Sequence, residues 1–303
     1  MVETGLAEEL ELIDSTGTDR TGELGVFQTA TFQISEEHTA ERSVDSGGKP
    51  VDIREGVSEF PVSLTIKPTS LKSLRIFGEY NEPGDGTYEI TFPGDQTLES
   101  HNFFRGQIDS SSYFEFTDVK FGQFIMDFGV EDVVSISFDT VLAKDGTIQD
   151  GTIDSVDASG SPLRWNDADV LIDDTTVGVV ESVNKEVNRN ISSEYGITDA
   201  TGGDARKPIA IIEGNYEFLP SIVVKLTDLT AWENALDDSS KPLEIQASKD
   251  GKTISLDFGG TSGKLEFQEA KFAVEEYELN EDKDVKTVEL TGNAQDVKVT
   301  GDL

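Results

Sequence analysis

Lys49 to Leu71 reads KPVDIREGVSEFPVSLTIKPTSL, and an altered copy, KPIAIIEGNYEFLPSIVVKLTDL, runs from Lys207 to Leu229. The two align without a gap at a spacing of 158 residues. Identical pairs are Lys49/Lys207, Pro50/Pro208, Ile53/Ile211, Glu55/Glu213, Gly56/Gly214, Glu59/Glu217 and Phe60/Phe218. Ser63/Ser221, Lys67/Lys225, Thr69/Thr227 and Leu71/Leu229 complete the set. A period near half the chain length implies two copies of one domain, not a short-repeat solenoid. Inside the stretch, Phe60, Val62, Leu64 and Ile66 alternate with Pro61, Ser63, Thr65 and Lys67, the pattern of a half-buried strand. Phe218, Ile222 and Val224 take the buried face in the second copy. Pro61 and Pro220 have no N–H to donate, which places this part of the strand at a sheet edge or a bulge.

Outward from the stretch, further segments correspond. Val26 to Ile34 (VFQTATFQI) reads as a strand, with Gly178 to Val187 as its counterpart. Ser35 to Gly48 and Asn188 to Arg206 read as long, charged, glycine-containing loops, places where contacts collect. A short amphipathic helix is expected after the strand in each copy. Leu71, Leu74 and Phe77 mark the first, capped by Thr69 or Ser70, and Leu229, Trp232 and Leu236 mark the second, capped by Thr227. A Pro-Gly-Asp-Gly turn precedes Tyr88, Ile90 and Phe92, and Asp250-Gly251 precedes Ile254, Leu256 and Phe258, read as its match. Phe114 to Phe121 (FEFTDVKF) matches Leu265 to Phe272 (LEFQEAKF), and Asp132 to Phe138 matches Asp284 to Leu290. Asp145 to Trp165, rich in Gly, Asp and Ser, reads as the connection between copies. The expected organisation is a polar arm over 1–21, a β domain over 22–150, a linker over 151–165 and a second β domain over 166–303. The fold class is mainly β, a sandwich or small barrel with one short α-helix per domain.

A length of 303 residues suits two domains of about 150. The absence of cysteine excludes disulfides and thiolate metal sites. Asp plus Glu number 60 against 24 Lys plus Arg, a formal net charge of −36. Such a chain repels itself in dilute buffer, whereas at about 1 M salt the Debye length falls to roughly 3 Å. The acids are spread through amphipathic segments and not gathered in a tail, as a halophilic surface would have them. An acidic mesophilic protein or a DNA mimic is the alternative. No Lys/Arg stripe offers itself to phosphates. No apolar run is long enough for a membrane span, and the acidic start lacks the apolar segment of a signal peptide, so residence in the cytoplasm is expected unless the chain leaves inside something larger.

Catalytic patterns are missing. His38 and His101 fall at non-equivalent places and read as ordinary loop residues. There is no G-x-S-x-G, P-loop or G-x-G-x-x-G. Asp145, Asp150, Asp154 and Asp157 lack EF-hand spacing and its closing Glu, and read as solvated turn acids. The sequon Asn190-Ile191-Ser192 reads as chance. Glu36/Glu37 and Asp173/Asp174 are the adjacent acids this composition produces anyway. Trp165 and Trp232 read as packing residues. No catalytic, metal or cofactor residue is assigned, and an enzyme with acids in a cleft remains only as a competitor.

The duplicated, His-poor β domain, with K-P-x-x-I-x-E-G…E-F leading through a strand into a helix, resembles the major tail tube proteins of tailed viruses. The resemblance covers about residues 22–150 and 166–303. With the composition, it points to a siphovirus-like virus of a haloarchaeal host. It implies a virion protein without catalytic residues or cofactors that self-assembles into stacked rings around a channel for DNA. Six tube domains close such a ring, so a two-domain chain closes it as a homotrimer with pseudo-sixfold symmetry; a homohexamer is the alternative. Other implied partners are the tape measure, the terminator and the tip or baseplate proteins, with no membrane. On this reading Ser35 to Gly48 and Asn188 to Arg206 are loops between rings. The reading from another class is a duplicated β-sandwich binding module, either a virion receptor-binding protein or a haloarchaeal surface or carbohydrate-binding protein. Exposed aromatics at matching loops would mark it.

Overall fold

A computed structural model describes residues 2–6, 9–42, 50–94, 97–98, 100–129, 132–154, 160–176, 180–196, 206–225, 251–279 and 286–303. The first half contributes β1 (Val2–Leu6), β2 (Leu10–Ile13), the single turn α1 (Thr21–Leu24), β3 (Val26–Arg42), β4 (Pro50–Glu59) and β5 (Pro61–Lys67). A 3₁₀ helix (Leu71–Ile76) follows, then β6 (Glu79–Asn81), β7 (Thr87–Thr91), β8 (His101–Asp109), β9 (Ser112–Phe121), β10 (Gln123–Gly129), β11 (Ser135–Leu142) and β12 (Asp145–Asp150). The second half contributes β13 (Asp169–Ile172), β14 (Thr175–Thr176), β15 (Val180–Asn188), β16 (Ser192–Glu194), β17 (Ala210–Ile212), β18 (Glu217–Lys225), β19 (Lys252–Asp257), β20 (Lys264–Leu279), β21 (Lys286–Asn293) and β22 (Asp296–Asp302).

The chain is mainly β, and each half is built as a sandwich. In the first half one layer runs β3-β5-β11-β10 and the other β2-β8-β9-β12, all antiparallel. In the second half one layer runs β15-β18-β21-β20 and the other β13-β19-β20-β22, with β20 long enough to serve both. Irregularities recur at corresponding places. The β3–β5 register slips between Phe27 and Thr29, and the β15–β18 register slips between Val180 and Ser182. Asp118 and Glu269, corresponding residues of FEFTDVKF and LEFQEAKF, both sit in the left-handed region at φ 51° and 52°. A bulge re-aims a strand and raises its twist, so a bulge shared in place gives both halves the same bend.

The alternation read in Phe60 to Ile66 is fully expressed, since all four apolar residues are buried. Phe32 stands at the centre of the first core, its ring 5.1 Å from Phe104 and 5.2 Å edge-on from Phe116. Aromatic pairs at such spacings add about 0.5–1.5 kcal/mol beyond burial. Pro61 opens β5 opposite Leu142, beside the slip in β11, where a missing N–H breaks no continuous ladder. Pro220 precedes Ser221, where pairing with β21 begins, so it too has a free side.

Several expectations need correction. The first helix is a 3₁₀ helix, with Ser70 as cap accepting from the Lys72 N–H at 3.1 Å; Leu71, Leu74 and Phe77 are buried as expected. The segment is short, the length at which 3₁₀ turns are common, and it ends where Gly78 closely approaches β7. The second helix, Leu229 to Leu236, lies outside the described residues. Ser35 to Arg42 is no loop but the continuation of β3, paired with β4 from Ser35↔Glu59 to Arg42↔Pro50. In the second half Ser192–Glu194 likewise pairs with Ala210–Ile212. Asp145–Asp150 is strand, bonded to Ser112–Thr117 of β9, so the connection between halves begins after it. The strand holding Ile254 and Leu256 pairs with β20 as β8 pairs with β9; β7, with Tyr88 and Ile90, instead joins β6 and β22.

Candidate assembly junction

The two halves are joined by strands, not by linker contacts alone. β10 is the last strand of the first-half layer, and its outer edge pairs with β15 from Gln123↔Asn188 to Gly129↔Ser182. Phe124, Met126 and Phe128 alternate inward along β10, and Val183, Lys185 and Val187 along β15, so the ladder has one dry face. The layer of one half therefore continues without a break into the layer of the other.

In the second copy of K-P-x-x-I-x-E-G, the repeated residues lie against this seam. Lys207 places Nζ 2.7 Å from Asp145 Oδ2 of the first half. Ile211 is buried with Leu98 and Ile191, and Leu142 and Tyr216 pack on them. Glu213 accepts from the Lys120 ammonium, lies 3.5 Å from Arg189 Nε, and accepts from the Leu98 N–H at 2.8 Å. Arg189 stacks over the Tyr216 ring at 4.3 Å and donates to the Gly94 carbonyl at 3.2 Å. Burial pushes the Tyr216 hydroxyl up to about 12. A Cβ on Gly214 would lie 3.0 Å from the Asn190 carbonyl oxygen, so glycine lets the two backbones meet. Side-chain exposures of 11% for Lys120 and 10% for Glu213 put the pair away from bulk water. Removing one partner of such a pair typically costs about 3–5 kcal/mol, because the other charge stays buried.

The seam's second layer is made by β7, which pairs with β22 from Thr91↔Lys298 to Thr87↔Asp302. Val299 lies opposite Ile90 there, and both are fully buried. In the first half, β12 stands to β9 as β22 stands to β20. Ile148 of β12 holds the place of Val299, yet it is 46% exposed, and no ladder covers its outer side among the described residues. Lys271, which holds in LEFQEAKF the place of Lys120 in FEFTDVKF, is exposed as well. The same residue types are thus buried at the internal seam and open away from it, Ile148 in the first half and Lys271 in the second.

The remaining candidate residues do not converge. His101 is buried, with Nε2 3.0 Å from the Ile76 carbonyl and its ring edge-on to Phe121 at 5.3 Å. It is a core residue and not the loop residue expected. His38 lies in β3 opposite Glu55, so it too is in a strand. Asp145 faces Lys207, Asp150 and Asp154 are exposed, and Asp157 lies outside the described residues. Among the described residues no group of three or more His, Asp or Glu could hold a metal. Asp173 and Asp174 form the positive-φ turn between β13 and β14. Asn190 also has positive φ, and its side-chain amide donates to the Asn215 carbonyl, a structural turn. Trp165 packs 5.4 Å from Phe128, while Trp232 lies outside the described residues. Sequence reasoning did not single out Lys120, Asp145 in its ion-pair role, Arg189 or Tyr216. The recurrence of Lys120 as Lys271 was the signal available.

The architecture and the seam define a mainly β chain in which Lys207, Ile211 and Glu213 serve packing between sandwiches. A family model described as phage tail tube protein matches residues 13–301, and the chain belongs to that family. No curated protein matches it. Membership makes it a structural component of a virus tail, associating with itself and with other tail proteins.

Proposed function

We propose that the chain carries two tandem copies of one tube domain, and that three chains close a ring of six domains whose stacked copies form the tail tube through which viral DNA passes. The observation that carries this is the β10–β15 ladder. It joins two sandwiches of the same strand order edge to edge, and further copies added by the same step curve into a barrel, because closure removes the exposed edges that a free sheet would present. The open counterparts of buried seam residues, Ile148 and Lys271, support the same reading. A homohexamer with each chain using one edge twice would leave those counterparts unexplained. The large apolar residues exposed among the described residues are Val26, Ile148, Ile209, Ile212 and Leu303, none of them aromatic, which speaks against a carbohydrate-binding module.

The acidic surface fits a halophilic host, and the two-domain chain fits a non-contractile, siphovirus-like tail, with assembly in the host cytoplasm. Acids in the lumen would keep DNA sliding, since like charge does not hold phosphates. Ser35 to Gly48 and Asn188 to Arg206 are assigned to contacts between rings, as equivalent charged segments of the two copies; residues 43–49 and 197–205 of them lie outside the described residues. The test is gel filtration with light scattering at molar salt. Assemblies that begin at three chains and grow by three support the reading; growth by six only, or a chain that stays monomeric across protein concentration and salt, removes it.

A further inference from the structure

The edge of β3 that would receive the next chain is already occupied. β1 pairs antiparallel with β3 from Leu6↔Thr31 through Gly5↔Phe32 and Thr4↔Gln33 to Val2↔Ser35. At the internal seam the same stretch of the second half, Ser182 to Asn188 of β15, pairs with β10. The correspondence is set by the ladders. Ala30, Thr31 and Phe32 face Leu64, Ser63 and Val62 of β5, while Val183, Asn184 and Lys185 face Ile222, Ser221 and Pro220 of β18. Likewise Ile125, Met126 and Asp127 of β10 face Ser137, Ile136 and Ser135 of β11, and Glu276, Tyr277 and Glu278 of β20 face Glu289, Val288 and Thr287 of β21. The outer edge of β20 over Glu276 to Leu279 has no ladder among the described residues.

We propose that β1 is a removable strand, and that on ring closure it gives up the edge of β3 to β20 of a second copy. The inference rests on the ring reading above and adds its register. Transferring the β10–β15 ladder puts Glu276 opposite Gln33, Tyr277 opposite Phe32, Glu278 opposite Thr31 and Leu279 opposite Ala30 of the next chain. β1 presents Thr4, Gly5 and Leu6 to the same three residues Gln33, Phe32 and Thr31 in the free chain. The two strands cannot share that edge, since one row of backbone N–H and C=O groups pairs only once. An occupied edge keeps the free chain from pairing at random, the hazard that any long open strand carries. β1 is short, and a strand of five residues is released more readily than the seam ladder. Among the described residues it also has no counterpart in the second half, where the equivalent edge is filled by β10.

The chain has no cysteine, so introduced pairs report without background. Thr4→Cys with Gln33→Cys ties β1 to its own β3, whereas Gln33→Cys with Glu276→Cys spans two chains. Under oxidation at molar salt, the first variant is expected to form its bond within one chain and to lose at least tenfold of its tube yield, with recovery on reduction. The second, oxidised after assembly, is expected to give covalent oligomers up to trimers. A variant lacking residues 1–7 is expected to assemble faster than the parent chain. Full assembly of the oxidised Thr4/Gln33 variant, with its intrachain bond confirmed by mass, would overturn the inference while leaving the ring reading intact. Failure of the parent chain to form rings at any salt would overturn both.

Discussion

Lys185 shows how one residue can set the pH response of this fold. It holds in β15 the place that Phe32 holds in β3, opposite Pro220 where Phe32 is opposite Val62. It is fully buried, its ammonium 5.3 Å from the Phe267 ring centre, and no described group hydrogen-bonds it. Burial lowers its pKa from 10.5 to about 7. The unfolded chain therefore binds the extra proton between about pH 7 and 10.5, and stability gains across that window as pH rises. Lys185→Met removes the buried amine at similar volume. It is expected to raise stability at pH 7 by about 1–3 kcal/mol and to flatten the rise toward pH 10, read by guanidinium unfolding at both pH values. The opposite sign is expected at the seam. Glu213→Ala leaves Lys120 and Arg189 without their carboxylate and should cost about 3 kcal/mol in the free chain. Lys271→Ala touches an exposed residue and should change free-chain stability by less than about 0.5 kcal/mol, while weakening ring formation.

At the scale of elements, the edge strand β12 is the clearest test of what covers what. Ile148→Glu should leave the melting curve of the free chain nearly unchanged, because the side chain is already half in water. It should nonetheless block assembly, because the place it holds is buried under β7 in the second half. Val299→Glu should unfold the chain, since no water reaches that site. Deletions within residues 43–49 or 197–205 should yield rings that do not stack, seen as single rings by electron microscopy. Strands were the legible part of the sequence. The alternation Phe60 to Ile66 and the paired FEFTDVKF and LEFQEAKF segments read directly as the layers they form, because period-two burial leaves a period-two pattern. Ser35 to Arg42 and Ser192–Glu194 were misread as loops, because their sequence carries no apolar alternation although their backbones keep a ladder. Asp145–Asp150 was misread as linker for the same reason, its outer side standing uncovered. The seam was half legible. Lys207, Ile211 and Glu213 stood out by recurrence, but their partners Asp145, Leu98 and Lys120 come from distant positions that only the tertiary fold brings together.

For the whole molecule, charge and closure act together. A net charge of −36 opposes the approach of one chain to another, and about 1 M salt shortens the reach of that repulsion to roughly 3 Å. Ring formation should therefore rise steeply with salt, and lowering the salt should dissociate rings before the sandwiches unfold, visible as a size change that precedes loss of the β circular-dichroism signal. The internal seam, held by a ladder, a buried apolar cluster and the Lys120–Glu213 pair, is expected to survive that dissociation. The measurement that bears most directly on the proposed ring is cryo-electron microscopy of the protein assembled at molar salt. Hollow rings of three chains, with six sandwiches around the channel and each chain-to-chain contact repeating the β10–β15 ladder, are the expected result. Rings of six chains, or contacts that bypass the edges of β3 and β20, would contradict it.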